Sequence, residues 1–308
     1  MKLLFIINEN AGNGSVIQKW NKLKSKLSVP YKVEFTEYPC HATEIVKKHA
    51  NEDEQPLLVI AIGGDGTIHE VIQGAVYFSH TIVGAIAAGS GNDFGRGFEN
   101  FNSVEEIERF LQQPITQVEM DIGILKTEDD RKYFMNSAGY GFDATISKLV
   151  NHSKVKKNLN KLGLGKLSYI YFLIKTLFTY NRFTLTLLHN GEEEVFHHVW
   201  FVVASNQPYY GGGMKISPKS IPNDGLIELT IVNEVSRLKL LLLFMTVFFG
   251  QHTKLKAVKQ FTASEFEIIM DEHIIAHTDG EYAGESTKDK PIRFELKSQA
   301  WRLARKSS

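Results

Sequence analysis

Residues 63–67 read Gly-Gly-Asp-Gly-Thr, three glycines around one carboxylate. An apolar strand-like run, 57–62, leads in, and a helical pattern, 67–76, leads out. Glycines let a backbone turn sharply and come close to a ligand. The helix N-terminus that follows offers N–H groups and a positive dipole end to a phosphate. A carboxylate at Asp65 beside a phosphate calls for a cation, and Mg²⁺ binds through carboxylates together with substrate phosphates. A second glycine-rich run, Gly89-Ser90-Gly91-Asn92-Asp93-Phe94-Gly95-Arg96-Gly97, follows another apolar stretch, 82–87. It adds small polar side chains (Ser90, Asn92), a second acid (Asp93) and a guanidinium (Arg96) suited to phosphate or carboxylate. Two such loops at the ends of neighbouring strands would converge on the sheet edge where open α/β sheets bind ligands. Asp279-Gly280-Glu281 follows a strand pattern at a tight turn that could present a carboxylate, and Asn223-Asp224-Gly225 is a further acidic turn; both also read as ordinary turns.

Other chemistries find no support. Gly163-Leu164-Gly165-Lys166 lacks the Walker A frame, because 160 is Asn and 167 is Leu. Gly12-Asn13-Gly14 has no third glycine at the dinucleotide-binding spacing. There is no Gly-x-Ser-x-Gly elbow, and the histidines lack zinc spacing.

The elements that must position these residues fall into two groups. Strand patterns at 3–7, 31–36, 57–62 and 82–87 alternate with helical ones at 18–27, 42–50, 67–76 and 103–111. Thr43 is a candidate cap for the second helix, and Ser103 with Glu106 forms a capping box. Such alternation predicts a doubly wound, mainly parallel sheet. After Asp121 the chain turns β-branched and aromatic, with strand patterns at 132–139, 182–189, 195–205, 226–232, 261–270, 273–278 and 292–296. Helical stretches at 167–179 and 238–249 interrupt them. The expectation is an α/β domain over 1–123, then a mostly antiparallel β-sandwich over 124–297, with 298–308 packing back on the first domain.

The 308 residues suit two domains. Thirty-five basic residues balance thirty-five acids, which argues against a dedicated nucleic-acid binder. The single cysteine, Cys40, excludes an intrachain disulfide and fits a reducing, cytoplasmic compartment. The most apolar helical run, 240–249, is half the ~20 residues a transmembrane helix needs.

Taken in order, Gly63-Gly64-Asp65-Gly66-Thr67, Gly89-Ser90-Gly91-Asn92-Asp93-Phe94, Asn223-Asp224-Gly225-Leu226 and Asp279-Gly280-Glu281 resemble the diacylglycerol kinase catalytic-domain family, and most of all the bacterial lipid kinases related to sphingosine kinases. The resemblance implies a two-domain fold of the NAD kinase/diacylglycerol kinase type that binds ATP and Mg²⁺. It implies ATP contacts from Thr36, Ser90 and Gly63, Gly64, Asp65, Gly66, Thr67, Ile68 and His69. It implies Glu281 as the base that takes a proton from a lipid hydroxyl, and Asp224 as a Mg²⁺ ligand with the carbonyls of Ile221 and Leu226. Asp93 and Asp121 would support the metal and phosphate region. The chain departs from the family at 8–12, Asn-Glu-Asn-Ala-Gly where Asn-Pro is usual, and at His69, where Asn is common.

The activity expected is transfer of the γ-phosphoryl of ATP to a lipid such as diacylglycerol, with an NAD kinase, a sugar-phosphate kinase or a non-catalytic lipid-binding regulator as the rivals. Partners expected are a lipid at the membrane surface, met by peripheral contact without a transmembrane segment, and no nucleic acid; an unpaired edge strand could support a homodimer. The helical stretches 166–175 and 237–249 are apolar with basic neighbours, which suits either a membrane interface or core burial, and 148–166 reads as a basic surface loop.

Overall fold

The apolar runs at 3–7, 57–62 and 82–87 become parallel strands because both faces of each are covered, while 32–35 adds an exposed edge strand. In the computed structural model, which describes residues 1–88, 93–113, 116–151, 153 and 165–305 (the side chains of Asn13 and 165–169 excepted), these are β1 (Lys2–Ile7), β2 (Lys32–Phe35), β3 (Leu57–Gly63) and β4 (Thr81–Ala87). They pair in the order β4-β3-β1-β2, all parallel. The helices between them are α1 (Ser15–Lys24), α2 (His41–Ala50) and α3 (Asp65–Ala75), followed by α4 (Asp93–Gly97) and α5 (Val104–Gln112). Leu3, Phe5 and Ile7 alternate along β1 into a core with Trp20 of α1 and Ile107 and Phe110 of α5. Their neighbours Leu4 and Ile6 are equally buried, and α3 packs on β3 and β4.

The chain divides into two units. The first holds Met1–Ile122, Gly211–Gly213 and Ser298–Ser308; the second holds Gly123–Tyr210 and Met214–Lys297. Two strands run from one unit into the other: β5 (Gln117–Lys126) and the last strand, Pro291–Ala304. The end of that last strand joins the first sheet, where Arg302 and Leu303 pair in parallel with Ile82 and Val83 of β4. The assignment of Gly211–Gly213 to the first unit has no counterpart in the sequence pattern.

The second unit is antiparallel. Its elements are β6 (Arg131–Phe134), β7 (Ser137–Gly141), α6 (Phe142–Asn151), α7 (Gly165–Thr179), β8 (Phe183–His189), β9 (Glu192–Ser205), β10 (Ile227–Asn233), α8 (Arg237–Val247), β11 (Val258–Ala263), β12 (Glu265–Met270), β13 (Ile275–Thr278), β14 (Glu281–Glu285) and β15 (Pro291–Ala304). The order is β14-β13-β7-β9-β8-β12-β15, with β10 pairing β9 and β11. One core, built around Phe134, Tyr140, Val202, Leu229, Phe266 and Phe294, fills the sandwich.

Several local expectations need correction. Thr43 does not cap α2: the cap position is Cys40, in a left-handed conformation and without a side-chain cap bond. The cap is tertiary, because the Glu70 carboxylate accepts from the N–H groups of Cys40 (2.9 Å) and Ala42 (3.2 Å). Residues 132–139 form two strands, broken where Met135 and Asn136 turn their N–H groups to the Asp279 carboxylate. Residues 261–270 break likewise at Ser264. Lys148 lies in α6, not a loop, and pairs with Glu285 at 3.0 Å; residues 154–164 lie outside the described set. Strands β5 and β14 and helices α4 and α6 were not foreseen. The Ser103 cap forms as read, Glu106 N–H donating to Ser103 Oγ, while the return bond to the Glu106 carboxylate comes from the N–H of Asn102, one residue before the cap.

Candidate active site

In the first unit the C-terminal ends of the parallel strands bring the first candidates together. Ile7 is in register with Phe35 and Ile62, and Gly63 with Ala87, so the loops after β1, β2, β3 and β4 leave from one edge. The N-cap of α3 is Gly64, which supplies no side-chain cap. Asp65, Gly66 and Thr67 therefore open the helix, and among the described residues no side chain caps their N–H groups. A Cβ on Gly66 would meet nothing within 4 Å, so that glycine keeps the approach open. Gly63 is required for another reason: a Cβ there would lie 2.6 Å from the Thr67 side chain. Thr67 Oγ1 in turn accepts from Asn8 Nδ2 at 3.0 Å, locking the end of β1 to α3. Thr36 sits beside this pair, its N–H donating to Ile7 O at 2.9 Å.

Ile68 is fully buried and its N–H donates to Gly64 O, so it serves the core and the helix. His69 hydrogen-bonds Gln73 one turn on. Ser90 and Asn92, with Gly89 and Gly91, lie outside the described residues.

Asp65 and Asp93 divide the acidic work. Asp65 Oδ1 accepts from Phe94 N–H at 3.2 Å, so it heads α4 as well as α3. Asp93 is buried; it accepts from Arg96 Nη1 (3.0 Å) and from Gly212 N–H (2.7 Å). Its carboxyl titrates above the ordinary range because burial penalises its charge and Asp65 repels it, against the opposing pull of Gly212 and Arg96. Asp65 is thus the carboxylate suited to a Mg²⁺ that also rides on substrate phosphates, while Asp93 and Arg96 are spent on each other and on the 211–213 loop. Among the described residues no cluster of three or more His, Cys, Asp or Glu forms a protein-only metal cage, and nucleotide-borne Mg²⁺ needs only one or two carboxylates.

Two contributors were not read as site residues from the sequence. Lys19 reaches from α1 to Ala87 O at 2.7 Å, at the mouth of the second glycine-rich loop. Gly12, with φ +64°, lies so close to Ala88 that a Cβ would fall 2.2 Å from its carbonyl oxygen. Gly12 is therefore a packing position, whereas a Cβ on Gly14 would meet nothing within 4 Å. Asp121 is buried; it accepts from Gln299 N–H at 2.8 Å, and its carbonyl accepts from Trp301 Nε1, so it holds β15.

In the second unit, Asp279 (φ +49°) and Gly280 (φ +84°) make the two-residue turn between β13 and β14, with Thr278 paired to Glu281. Two left-handed residues in sequence are what a type I′ hairpin demands. Neighbouring carboxylates have opposite surroundings. Asp279 accepts from the N–H groups of Met135 (2.8 Å), Asn136 (2.7 Å) and Ser137 (2.9 Å). Glu281 is exposed, touched by Asn151 Nδ2 at 3.4 Å. Behind the turn, His277 is fully buried: Nδ1 accepts from Gly280 N–H (3.4 Å), which leaves Nε2–H to donate to Asp143 Oδ2 (2.9 Å). The Tyr210 ring stacks on His277 and its hydroxyl donates to Asp143. The only local sign of this support was a histidine two residues before Asp279.

Asp224 heads an exposed turn, its Oδ1 accepting from Leu226 N–H at 3.0 Å, with Ile221 also exposed. Beneath it Glu228 is buried and accepts from Ser220 Oγ. Burial, with Asp224 nearby, raises the Glu228 carboxyl above its ordinary range. Glu228 adds a carboxylate to this turn that the motif alone did not suggest.

Residues 2–123 match the diacylglycerol kinase catalytic domain, and 136–305 match the YegS C-terminal NAD kinase beta sandwich-like domain. The chain is similar to "Putative lipid kinase YtlR" of Bacillus subtilis, 33% identical over 91% of this chain and 93% of that one. It is also similar to a diacylglycerol kinase of Mycobacterium tuberculosis, 27% identical over 73% and 70% of the two chains. A crystal structure of a diacylglycerol kinase from Bacillus anthracis shares the fold, with TM-score 0.67 at 18% identity over 98% of this chain and 96% of that one.

Proposed function

We propose that this chain, which belongs to the bacterial lipid kinase family of the diacylglycerol kinase superfamily, transfers the γ-phosphoryl of ATP to the hydroxyl of a lipid of the diacylglycerol kind. The observation that carries the reading is the uncapped N-terminus of α3, headed by Asp65 with open space at Gly66. Helix N–H groups there suit phosphate oxygens, and Asn8 through Thr67 keeps the loop in place. Mg²⁺, held at Asp65, would neutralise charge on the phosphates. Glu281 accepts the proton of the acceptor hydroxyl as its oxygen bonds to the γ-phosphorus and the bond to the ADP oxygen breaks. The lipid acceptor is favoured over NAD by the relatives, whose names are those of lipid and diacylglycerol kinases. The single cysteine, exposed and free, suits action from the cytoplasmic side.

The test is transfer of labelled γ-phosphate from Mg-ATP to diacylglycerol in mixed micelles, with NAD and fructose 6-phosphate as alternative acceptors. Labelled lipid is expected. Glu281→Gln should lower turnover by ~10²–10⁴-fold while ATP still binds; near-normal turnover would remove Glu281 from the role. Label in NAD or the sugar instead would move the acceptor away from lipid.

A further inference from the structure

Helix α8 is apolar on both sides. Leu240, Leu243 and Val247, at helical spacing, are buried in a cluster with Phe142, Trp200 and Val232. Its opposite side presents Leu238, Leu241, Leu242, Met245, Phe248 and Phe249 to solvent, with Leu242 69% and Phe249 75% exposed. Helix α7 repeats the arrangement: Phe172 and Leu177 lie inside the same cluster, while Ile170, Tyr171, Ile174 and Phe178 are outside. Arg237 Nε donates to Leu177 O at 3.0 Å, tying the start of α8 to the end of α7. A helix on a protein surface ordinarily turns polar residues outward, and a broad apolar face of this kind marks an interaction surface.

Charge identifies the partner. The chain carries 35 acids, yet none occurs between Glu234 and Glu265, or between Asp143 and Glu192. The first of these gaps carries Arg237, Lys239, Lys254, Lys256 and Lys259, and Lys175 stands on α7. Lys175, Lys239, Lys254 and Lys256 are all exposed. Beside Leu238 a cavity is lined by Arg182, His198 and Arg237, with Glu234 as the one acid. Apolar side chains flanked by cations, in a chain neutral overall, match an anionic bilayer. A second copy placed face to face would bring like charges together.

We propose that the outward faces of α7 and α8 seat on an anionic membrane, with leucines and phenylalanines at the acyl boundary and lysines among the headgroups. The proposal deepens the lipid-kinase reading and rests on it for its purpose, while the binding itself can be measured without ATP. The experiment is co-sedimentation with vesicles of phosphatidylcholine and of phosphatidylcholine mixed with phosphatidylglycerol, comparing the native chain with Leu242→Glu/Phe249→Glu. Both positions are exposed and far from burial in the core, so the fold should persist, which the melting temperature checks. The native chain is expected on anionic vesicles, with binding weaker by more than about tenfold in the double variant. Phosphorylation of a short-chain, water-soluble diacylglycerol should be equal in the two proteins. Equal vesicle binding by both proteins, no vesicle binding by either, or a native dimer that the double variant converts to monomers would overturn the proposal. Vesicle binding without phosphorylation of any lipid would leave the surface standing and remove the kinase reading alone.

Discussion

Replacing Asp279 by alanine tests whether the carboxylate next to Glu281 is scaffold or chemistry. It accepts three backbone N–H groups at 2.7–2.9 Å from a corner more than 140 residues earlier in the chain. A hydrogen bond to a charged group is worth about 1.5–3 kcal/mol. The three share one acceptor and lie at a partly buried site that water can enter, so their sum overstates the loss. A cost of about 3–4 kcal/mol for Asp279→Ala is reasonable on that basis. Since about 1.4 kcal/mol is tenfold in an equilibrium, local opening should become a few hundredfold more frequent. The assay is native-state hydrogen exchange at Met135, Asn136 and Ser137, which reads local opening without assuming a single global transition. Asp279→Ala should exchange ~100-fold faster or more at these three amides, whereas Glu281→Gln should leave them unchanged. Exchange within about tenfold of the native rate would refute the scaffold role.

Two further perturbations follow from burial and backbone geometry. His252 is fully buried with Nε2–H donating to Ile216 O at 2.9 Å, and burial holds its pKa below the ordinary imidazole value. The unfolded chain takes up that proton near pH ~6.5, so the stability is full above that pH and is lost as pH falls toward the depressed folded value. The urea midpoint of the second unit should therefore drop between pH 7.5 and 5.5, and drop less in His252→Gln; identical drops would count against it. Gly12→Ala forces a Cβ against the Ala88 carbonyl at φ +64°, which should cost about 1–3 kcal/mol and weaken nucleotide binding. An unchanged melting temperature and nucleotide affinity would show that the loop relaxes freely.

What could be read from the sequence was what local patterns encode. The capping box at Ser103 and Glu106 needs only four residues, and the runs at 57–62 and 82–87 could hardly be anything but buried strands. The turn at 279–280 declared itself by its Asp-Gly pair. The misreadings share one cause, which is partners far away in the chain. The cap of α2 comes from Glu70, thirty residues on from Cys40. The break between β6 and β7 is set by Asp279. Periodicity along 132–139 carries no trace of either partner. The same distance hid Lys19 from the loop after β4 and the Asp143–His277 pair from the turn it supports. Helices 166–175 and 237–249 were ambiguous because each buries one apolar face and leaves another exposed.

The last strand gives this chain an unusual biosynthetic schedule. One edge of β4 is closed only when residues 302 and 303 arrive, about 220 positions after their partners. At ordinary translation speeds the interval between completing the first 122 residues and making that strand is roughly 10 to 40 s. For that time the N-terminal parallel sheet has a bare apolar edge of the kind that recruits other chains. Pairing over such a span is also slow to find. The first unit thus matures last rather than first, together with the strand that also completes the sandwich, and a ribosome that stalls anywhere in the second half releases a parallel sheet that is still unsealed.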